Sequence, residues 1–269
     1  MTAPFTTLLV DAGNTRVKFG LISRGETRRK SETLALAHAD LEQLPQWLSN
    51  VQQKPARAIG VNVAGDALAV RIDALCSQSG AEGMQWVHST REAVGIRNTY
   101  EVPGQLGSDR WVALLGLATH TAGAALLASF GTATTIDALS APDASARRFE
   151  GGVILPGPEL MLRALANGTA QLPYAEGEVT PLPRNTHSAI RSGVAAAQAG
   201  AVLRQWRAAA DAFGAEPEVF CTGGGWPLVA AEVSAQLALL YADLGLKARP
   251  ARWLDAPVLD GLASLALQP

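Results

Sequence analysis

The chain has 269 residues, of which 48% are hydrophobic and 17% charged, so it can form one large or two modest globular domains and is not a disordered polypeptide. Its formal net charge of -2 gives no electrostatic basis for nucleic-acid binding, which usually depends on a basic surface. No apolar run reaches membrane-spanning length, no signal peptide opens the chain, and two cysteines form neither a disulfide framework nor a metal knuckle. We therefore expect a cytoplasmic protein that binds neither nucleic acid nor membrane.

The first half of the chain is predicted to form a mixed sheet covered by helices. Apolar and β-branched runs predict strands, and apolar residues at helical spacing predict helices. The predicted elements are strands Phe5–Asp11, Arg16–Ile22 and Thr27–Leu36, helix Asp40–Gln52, strand Ala58–Val63, helix Asp66–Ser79, and strand Met84–His88. A polar segment, Gly95–Gly107, then leads into helix Asp109–His120.

The second half of the chain is predicted to repeat this order. Its predicted elements are strands Gly123–Phe130, Ala133–Leu139 and Arg147–Leu155, helices Glu159–Ala166 and Asn185–Ala212, strand Glu218–Thr222, a helix through Gln236, strand Leu239–Tyr241, and helix Pro257–Ala266. Each half begins with three antiparallel strands and continues with alternating helices and strands. We therefore predict an α/β fold of two duplicated domains, residues 1–120 and 121–269, with a ligand cleft between them.

The turn between the first two strands is the first candidate site. Gly13-Asn14 is typical of a tight turn, because both residues tolerate positive φ. A turn there pairs Asp11 with Arg16 and leaves Lys18 two residues further along the same face. The opposite, buried face then carries Val17, Phe19 and Leu21.

This hairpin combines the groups that bind a nucleotide triphosphate and its metal. Backbone amides, the Thr15 hydroxyl and Lys18 suit phosphate oxygens, whereas the carboxylate of Asp11 suits hydrated Mg²⁺. An ordinary edge hairpin with a polar turn is the alternative interpretation.

Two glycine-containing segments of the second half are further candidates. Gly131-Thr132-Ala133-Thr134-Thr135 aligns with the first turn and offers hydroxyls and amides to a phosphate, although a threonine-rich strand would look the same. Gly223-Gly224-Gly225 follows a strand and precedes a helix, so a phosphate or a flat ring can approach its backbone closely. A plain flexible loop is the alternative for that segment.

The segment Gly107-Ser108-Asp109-Arg110 opens a helix and has two interpretations. In the structural one, Ser108 caps the helix and Asp109 complements the helix dipole. In the functional one, Asp109 is a general base for a substrate hydroxyl and Arg110 holds an anionic group. Tyr100, in the preceding polar segment, would then lie in the substrate-binding wall. Thr186, near the start of the long helix, is a further candidate anion or hydrogen-bonding site.

Together and in this order, the motifs resemble those of the type III pantothenate kinases, a family of the acetate and sugar kinase, Hsp70 and actin superfamily. The motifs are Asp11-x-Gly13-Asn14-Thr15-x-x-Lys18, Tyr100, Gly107-x-Asp109-Arg110, Gly131-Thr132-Ala133-Thr134-Thr135, Gly151-Gly152 with Pro156-Gly157, Asn185-Thr186 with Ser192-Gly193, and Thr222-Gly223-Gly224. The resemblance implies two ribonuclease H-like (actin-like ATPase) domains. It also implies ATP-dependent phosphorylation of pantothenate to 4'-phosphopantothenate, the first step of coenzyme A synthesis, by a homodimer.

The resemblance also implies roles for individual residues. The residues that it assigns to ATP are Asp11, Gly13, Asn14, Thr15, Lys18, Thr132, Gly223 and Gly224, with Asp11 also holding Mg²⁺. The residues that it assigns to pantothenate are Tyr100, Gly107, Ser108, Asp109 and Arg110, with Asp109 as the base. Thr186 is implied to contact pantothenate in the neighbouring subunit's site.

One residue departs from the family pattern. Ser129 stands where the family usually has an aspartate that contributes to a monovalent-cation site for K⁺ or NH₄⁺. A neutral hydroxyl is a poorer cation ligand than a carboxylate, which weakens the case for K⁺ dependence. Two alternatives to the leading function stay open here: a kinase or phosphatase for another small substrate, and a non-catalytic transcriptional accessory protein on the same fold.

Overall fold

A computed structural model of the chain describes residues 6–143 and 146–268. The start of the predicted first strand, Phe5, lies outside the described residues. The chain divides into two compact units. The first comprises the chain up to Ala122, a short segment ending at Arg148 and the C-terminal segment from Ala256; the second comprises Gly123–Asp143 and Phe149–Asp255. The predicted domain boundary between residues 120 and 121 stays a prediction.

The first unit is built on a five-stranded mixed sheet. The elements up to Ala122 are β1 (Thr6–Ala12), β2 (Arg16–Ser23), β3 (Leu34–Ala37), a 3₁₀ helix (His38–Gln43), α1 (Leu44–Ser49), β4 (Pro55–Asn62), α2 (Asp66–Gln78), β5 (Glu82–Trp86), β6 (Glu92–Ala93), β7 (Ile96–Asn98), a 3₁₀ turn (Pro103–Gln105) and α3 (Ser108–Leu117). The sheet order is β3-β2-β1-β4-β5, antiparallel from β1 to β3 and parallel from β1 to β5.

The second unit has the same strand order. Its elements are β8 (Ala125–Phe130), β9 (Ala133–Leu139), β10 (Arg147–Pro156), α4 (Pro158–Gly168), α5 (Thr186–Phe213), β11 (Glu218–Thr222), α6 (Trp226–Asp243) and β12 (Arg252–Trp253). The order β10-β9-β8-β11-β12 repeats that of the first sheet, with β9 antiparallel to its neighbours and β11 parallel to β8 and β12. The predicted duplicated α/β fold is therefore confirmed. A last helix, α7 (Pro257–Ala266), belongs to the first unit.

In each unit, one face of the sheet packs against helices to form the main apolar core, and in the first unit the other face is also buried, in part by the C-terminal helix α7. Alternation along β1 and β2 directs one set of side chains to a core completed by the 3₁₀ helix, α1 and α2. That core includes Leu8, Val10, Val17, Phe19, Leu21, Leu41, Leu44, Leu48, Ile72 and Leu75. In the second unit, α5 and α6 cover β8, β9 and β11, and Trp206 of α5 meets Tyr241 of α6 edge to face with ring centroids 5.6 Å apart. In the described part of the chain, no helix has both the length and the apolar character needed to cross a bilayer.

Helices α3 and α7 pack unusually closely because each has a glycine at the contact. A Cβ at Gly116 of α3 would overlap the carbonyl oxygen of Pro257, and a Cβ at Gly261 of α7 would overlap that of Val112. Leu259 of α7 also packs against Gly20 of β2. Helix α7 therefore packs both against α3 and against β1 and β2 of the first sheet.

Three predicted elements are wrong in detail. The predicted strand Leu239–Tyr241 does not exist, because α6 continues without interruption to Asp243 and buries Leu240 and Tyr241 on its inner face. The predicted strand Thr27–Leu36 is reduced to β3, and the predicted helix from Asp40 begins as a 3₁₀ helix that passes into the short α1. A short apolar run such as Leu239–Tyr241 has no periodicity that separates strand from helix.

We expect Gly116→Ala to destabilise the protein strongly. The added methyl group would overlap a backbone oxygen of α7, and a backbone segment cannot rotate away as a side chain can, so we expect a loss of about 3 kcal/mol or more. The measurement is the midpoint of urea unfolding followed by circular dichroism. Gly200→Ala on the exposed side of α5 is the control, since a Cβ there meets open space, and we expect a gain of up to ~1 kcal/mol. Equal effects of the two substitutions would contradict the close packing.

Candidate active site

The register of the first hairpin sets Asp11 directly opposite Lys18. Ala12 pairs with Val17 and Asp11 with Lys18, and the turn is closed by a 3.1 Å hydrogen bond from the Gly13 amide to the Arg16 carbonyl. The predicted pairing of Asp11 with Arg16 is therefore wrong, because the turn is centred one residue later, on Asn14-Thr15, which shifts the register by two residues. A shift of two residues leaves the alternation of faces unchanged, so the predicted burial of Val17, Phe19 and Leu21 is confirmed.

The glycine of this turn is not required for positive φ. Neither Gly13 nor Asn14 has a positive φ, contrary to the prediction. A Cβ at Gly13 would lie 3.3 Å from the carbonyl oxygen of Arg16, so glycine serves close backbone approach instead. Asn14 and Thr15 are exposed at the tip of the turn.

The carboxyl group of Asp11 occupies an unfavourable environment for a charge. Its pKa is raised to about 6 as the net result of three effects: burial raises it, the ammonium of Lys18 lowers it, and the carboxylate of Asp109 raises it. Asp11 and Asp109 are thus close enough to repel each other. Two carboxylates and one lysine of the first unit therefore share one electrostatic environment.

Asp109 lies in the first turn of α3, where its conformation depends on the preceding glycine. The helix begins at Ser108 with Gly107 as the N-cap and no side-chain cap, so the predicted capping role of Ser108 is wrong. The Oδ1 atom of Asp109 accepts a 2.8 Å hydrogen bond from the amide of Arg110. A Cβ at residue 107 would lie 2.8 Å from that same oxygen, and any larger residue would displace the carboxylate.

Arg110 and Tyr100, which the sequence pointed to separately, are in contact. The guanidinium of Arg110 is buried, donates a 3.1 Å hydrogen bond from its NH1 to the Tyr100 hydroxyl, and lies 5.9 Å from the centroid of the ring. This contact connects the start of α3 to the polar segment that precedes it. A buried positive charge is thereby held against the Tyr100 ring at the start of α3.

Sequence reasoning missed Asn98, which organises this polar segment. Its side chain is fully buried, its Nδ2 donates to the carbonyls of Thr90 and Pro103, and its Oδ1 accepts from the amide of Tyr100 at 3.0 Å. Asparagine side chains commonly form such local hydrogen bonds to the backbone in turns. The position of Asn98, two residues before Tyr100, could therefore have predicted this contact.

In the second unit, the turn predicted from Gly131 lies against the Pro156-Gly157 segment. The Gly131 amide donates to the Ala133 carbonyl at 3.0 Å, and the Gly157 amide donates to the Thr132 carbonyl at 3.0 Å. A Cβ at Gly157 would overlap the carbonyl oxygen of Gly131. The side chain of Thr132 is exposed at this turn.

The Gly223-Gly224-Gly225 loop crosses the end of β8 next to the same turn. Gly223 has φ +98°, and a Cβ there would overlap the carbonyl of Phe130. The amide of Gly225 donates to that carbonyl at 2.8 Å, whereas a Cβ at Gly224 would meet nothing within 4 Å. Three predicted phosphate-binding positions, Thr132, Gly223 and Gly224, thus lie together in the second unit.

The remaining two singled-out residues have different surroundings. Thr186 is the exposed first residue of α5, behind the N-cap Asn185, and it lines a largely apolar groove of about 620 Å³ between α4 and α5. Ser129 pairs with Thr135 on one side and with Thr222 on the other, so three hydroxyl residues lie side by side across three strands.

The described residues contain no group of three or more His, Cys, Asp or Glu side chains that could hold a metal ion by themselves. Proteins commonly bind Mg²⁺ through one or two carboxylates, with water and substrate phosphates completing the shell. Asp11 offers such a carboxylate, and a cation beside it would relieve the cost of its ionisation. The first unit thus places the carboxylates of Asp11 and Asp109 within electrostatic range of each other.

Comparisons with known proteins identify the family to which this chain is similar. The sequence model of type III pantothenate kinases matches residues 7–208. The type III pantothenate kinases of Bordetella bronchiseptica and Bordetella petrii are 45% and 46% identical to this chain, over 96% and 97% of this chain and 97% of each relative.

Two solved structures resemble the fold. An exopolyphosphatase-like protein is similar with a TM-score of 0.55 and 11% identity over 98% of each chain. The ethanolamine utilization protein EutJ from Carboxydothermus hydrogenoformans is similar with a TM-score of 0.51 and 12% identity, over 99% of this chain and 90% of that one. At this identity the likeness shows the shared fold alone.

We expect Asp11→Asn to stabilise the ligand-free protein at high pH. The pKa of Asp11 is raised in the folded state, from 3.8 to about 6. The group therefore contributes to the free energy of unfolding below pH 3.8, and this contribution is lost as the pH rises through 6. At pH 8 the ionised group costs on the order of 2–3 kcal/mol, which the neutral amide avoids. Urea unfolding without nucleotide or metal should show a gain at pH 8 that nearly disappears below pH 4.

The control for this measurement is Asp211→Asn, at an exposed position on α5 where no burial cost exists. A loss of stability at pH 8 in Asp11→Asn, or an equal gain in both variants, would contradict the assigned environment of Asp11.

Proposed function

Since this chain belongs to the family of type III pantothenate kinases, we propose that it phosphorylates pantothenate with ATP to give 4'-phosphopantothenate, the first step of coenzyme A synthesis. The observation that supports this most is the set of groups in the first unit: Asp11 is within electrostatic range of both Lys18 and Asp109, and Arg110 directly follows Asp109 at the start of α3. A phosphoryl transfer needs a metal–phosphate site, a positive charge and a base close together.

In our proposal, the two glycine turns bind the nucleotide. In the first unit, the assigned residues are Asp11, Gly13, Asn14, Thr15 and Lys18; in the second, they are Thr132, Gly223 and Gly224. Backbone amides and the Lys18 ammonium suit phosphate oxygens. Asp11 holds the metal, which we take to be Mg²⁺ and which, when bound, neutralises charge on the phosphates.

Asp109 acts as the base in this proposal. The substrate hydroxyl gives its proton to the Asp109 carboxylate while its oxygen forms a bond to the γ-phosphorus, and the bond from that phosphorus to the β–γ bridging oxygen breaks to release ADP. The hydrogen bond from the Arg110 amide to Oδ1 leaves Oδ2 as the atom for the proton. Such a reaction gains mainly from positioning and charge stabilisation.

We assign pantothenate binding to Tyr100, Gly107, Ser108, Asp109 and Arg110, with Arg110 facing an anionic group. The contact between Arg110 and Tyr100, and the organisation of the loop by Asn98, support a pre-formed wall here. We further propose a homodimer in which the exposed Thr186 contacts pantothenate in the neighbouring subunit's site.

We expect Asp109→Asn to lower kcat with pantothenate by about 10²- to 10⁴-fold, the usual contribution of a general base. The amide keeps an oxygen that can accept from the Arg110 N–H, so the local fold and ATP binding should remain. The measurement is pantothenate-dependent ADP formation by wild type and variant. Absence of pantothenate-dependent turnover in the wild type would reject the assigned function, whereas unchanged turnover in the variant would reject only the base.

We also expect the activity to change less than about twofold when K⁺ is replaced by a bulky monovalent cation. The physical reason is that Ser129 and its neighbours Thr135 and Thr222 offer neutral hydroxyls, which bind a cation less strongly than a carboxylate. ADP formation in K⁺ and in tetramethylammonium buffers at equal ionic strength measures this. Ser129→Asp is the matched variant and should acquire dependence on K⁺; strong K⁺ activation of the wild type would contradict the expectation.

A further inference from the structure

His38 lies beside the first glycine turn and bonds to its backbone. The Nε2 atom of His38 is 2.9 Å from the carbonyl oxygen of Gly13. A carbonyl oxygen only accepts hydrogen bonds, so Nε2 carries the hydrogen and donates it. No sequence pattern predicts this contact, because the two residues are 25 positions apart and the histidines show no ligand spacing.

The position of His38 follows from the sheet. Strand β3 pairs with β2 so that Ala37 lies opposite Arg16, and His38 is the next residue beyond this pair, alongside the turn. The backbone carbonyl of His38 accepts a 2.6 Å hydrogen bond from NH1 of Arg71 on α2, and Arg71 is also paired with Glu42 at 2.9 Å. The imidazole is therefore presented from an anchored backbone and not from a free loop.

This hydrogen bond fixes the direction of one peptide unit. No peptide bond in the described residues is cis, so the carbonyl of Gly13 and the N–H of Asn14 point in opposite directions across a planar trans unit. When His38 holds the carbonyl on its own side, the Asn14 N–H must point to the other side. Rotation of that unit would exchange a donor for an acceptor oxygen, and an oxygen repels phosphate.

We propose that His38 is a positioning residue for the nucleotide: it holds the Gly13–Asn14 peptide so that the Asn14 amide is directed at a phosphate oxygen of ATP. The proposal rests on the proposed function, since it concerns the turn that is assigned there to ATP. His38 does not touch the reacting atoms, and its effect belongs to nucleotide binding and not to the chemical step. A turn offers few backbone amides to a phosphate, and Asn14 is exposed to an incoming ligand. The direction of its single N–H therefore affects how well the turn binds phosphate.

The test compares His38→Ala and His38→Gln with the wild type. We expect the Kd for ATP in the presence of Mg²⁺, measured by calorimetry, and the KM for ATP to rise about fivefold to tenfold in His38→Ala, the effect of one lost hydrogen bond. The KM for pantothenate should change less than twofold. His38→Gln keeps an N–H donor at similar reach and should retain ATP binding within about twofold of the wild type.

The control for a merely structural effect is Leu41→Ala in the same 3₁₀ helix, which removes buried packing but no bond to the turn. It should lower the thermal midpoint while leaving the Kd for ATP unchanged. An unchanged Kd in His38→Ala, failure of His38→Gln to retain binding, or equal weakening by Leu41→Ala would each overturn the proposal. The calorimetric measurement needs no pantothenate, so it tests His38 independently of the kinase reaction. If the wild type binds ATP but does not phosphorylate pantothenate, the proposed function is rejected, while the comparison of ATP affinities still tests the role of His38.

Discussion

The carboxylate of Asp11, held opposite Lys18 by the register of one hairpin, is the constraint on which the first unit's site depends. Its burial is unfavourable, and Lys18 offsets the cost only in part because Asp109 adds a second negative charge. The protein therefore maintains an electrostatic cost in the absence of ligand. Such a cost is common where a cation is to be bound, because the ion converts repulsion between carboxylates into shared attraction.

The first turns of the two units have similar backbones but different neighbouring side chains. In both, a turn after an antiparallel hairpin presents backbone groups, and in both a glycine permits close backbone approach. The first turn is accompanied by charged side chains, whereas the second is surrounded by hydroxyls and by the backbone of Gly157 and Gly223. The strand order is thus the same in both units, whereas Asp11 and Lys18 accompany only the first turn.

The sequence was sufficient for the features that repeat or alternate, and insufficient for those that depend on contacts between distant residues. Alternation predicted the buried face of β2 even though the register was wrong, because an error of two residues does not exchange the faces. The end of α6 was mispredicted, since three apolar residues fit a strand as well as a helix. Asn98 and His38 were overlooked because their partners are set by the folded chain and not by spacing.

The placement of α7 has a consequence for how the chain reaches its folded state. This helix covers α3 and part of the first sheet, yet it is synthesised after every residue of the second unit. While the chain emerges from the ribosome, the apolar side of α3 around Val112 and Gly116 lacks its cover, whereas the second unit already has its full sequence. The later half of this protein can therefore finish folding before the earlier half, which leaves the hairpin of β1 and β2 on an incomplete support until α7 has been synthesised.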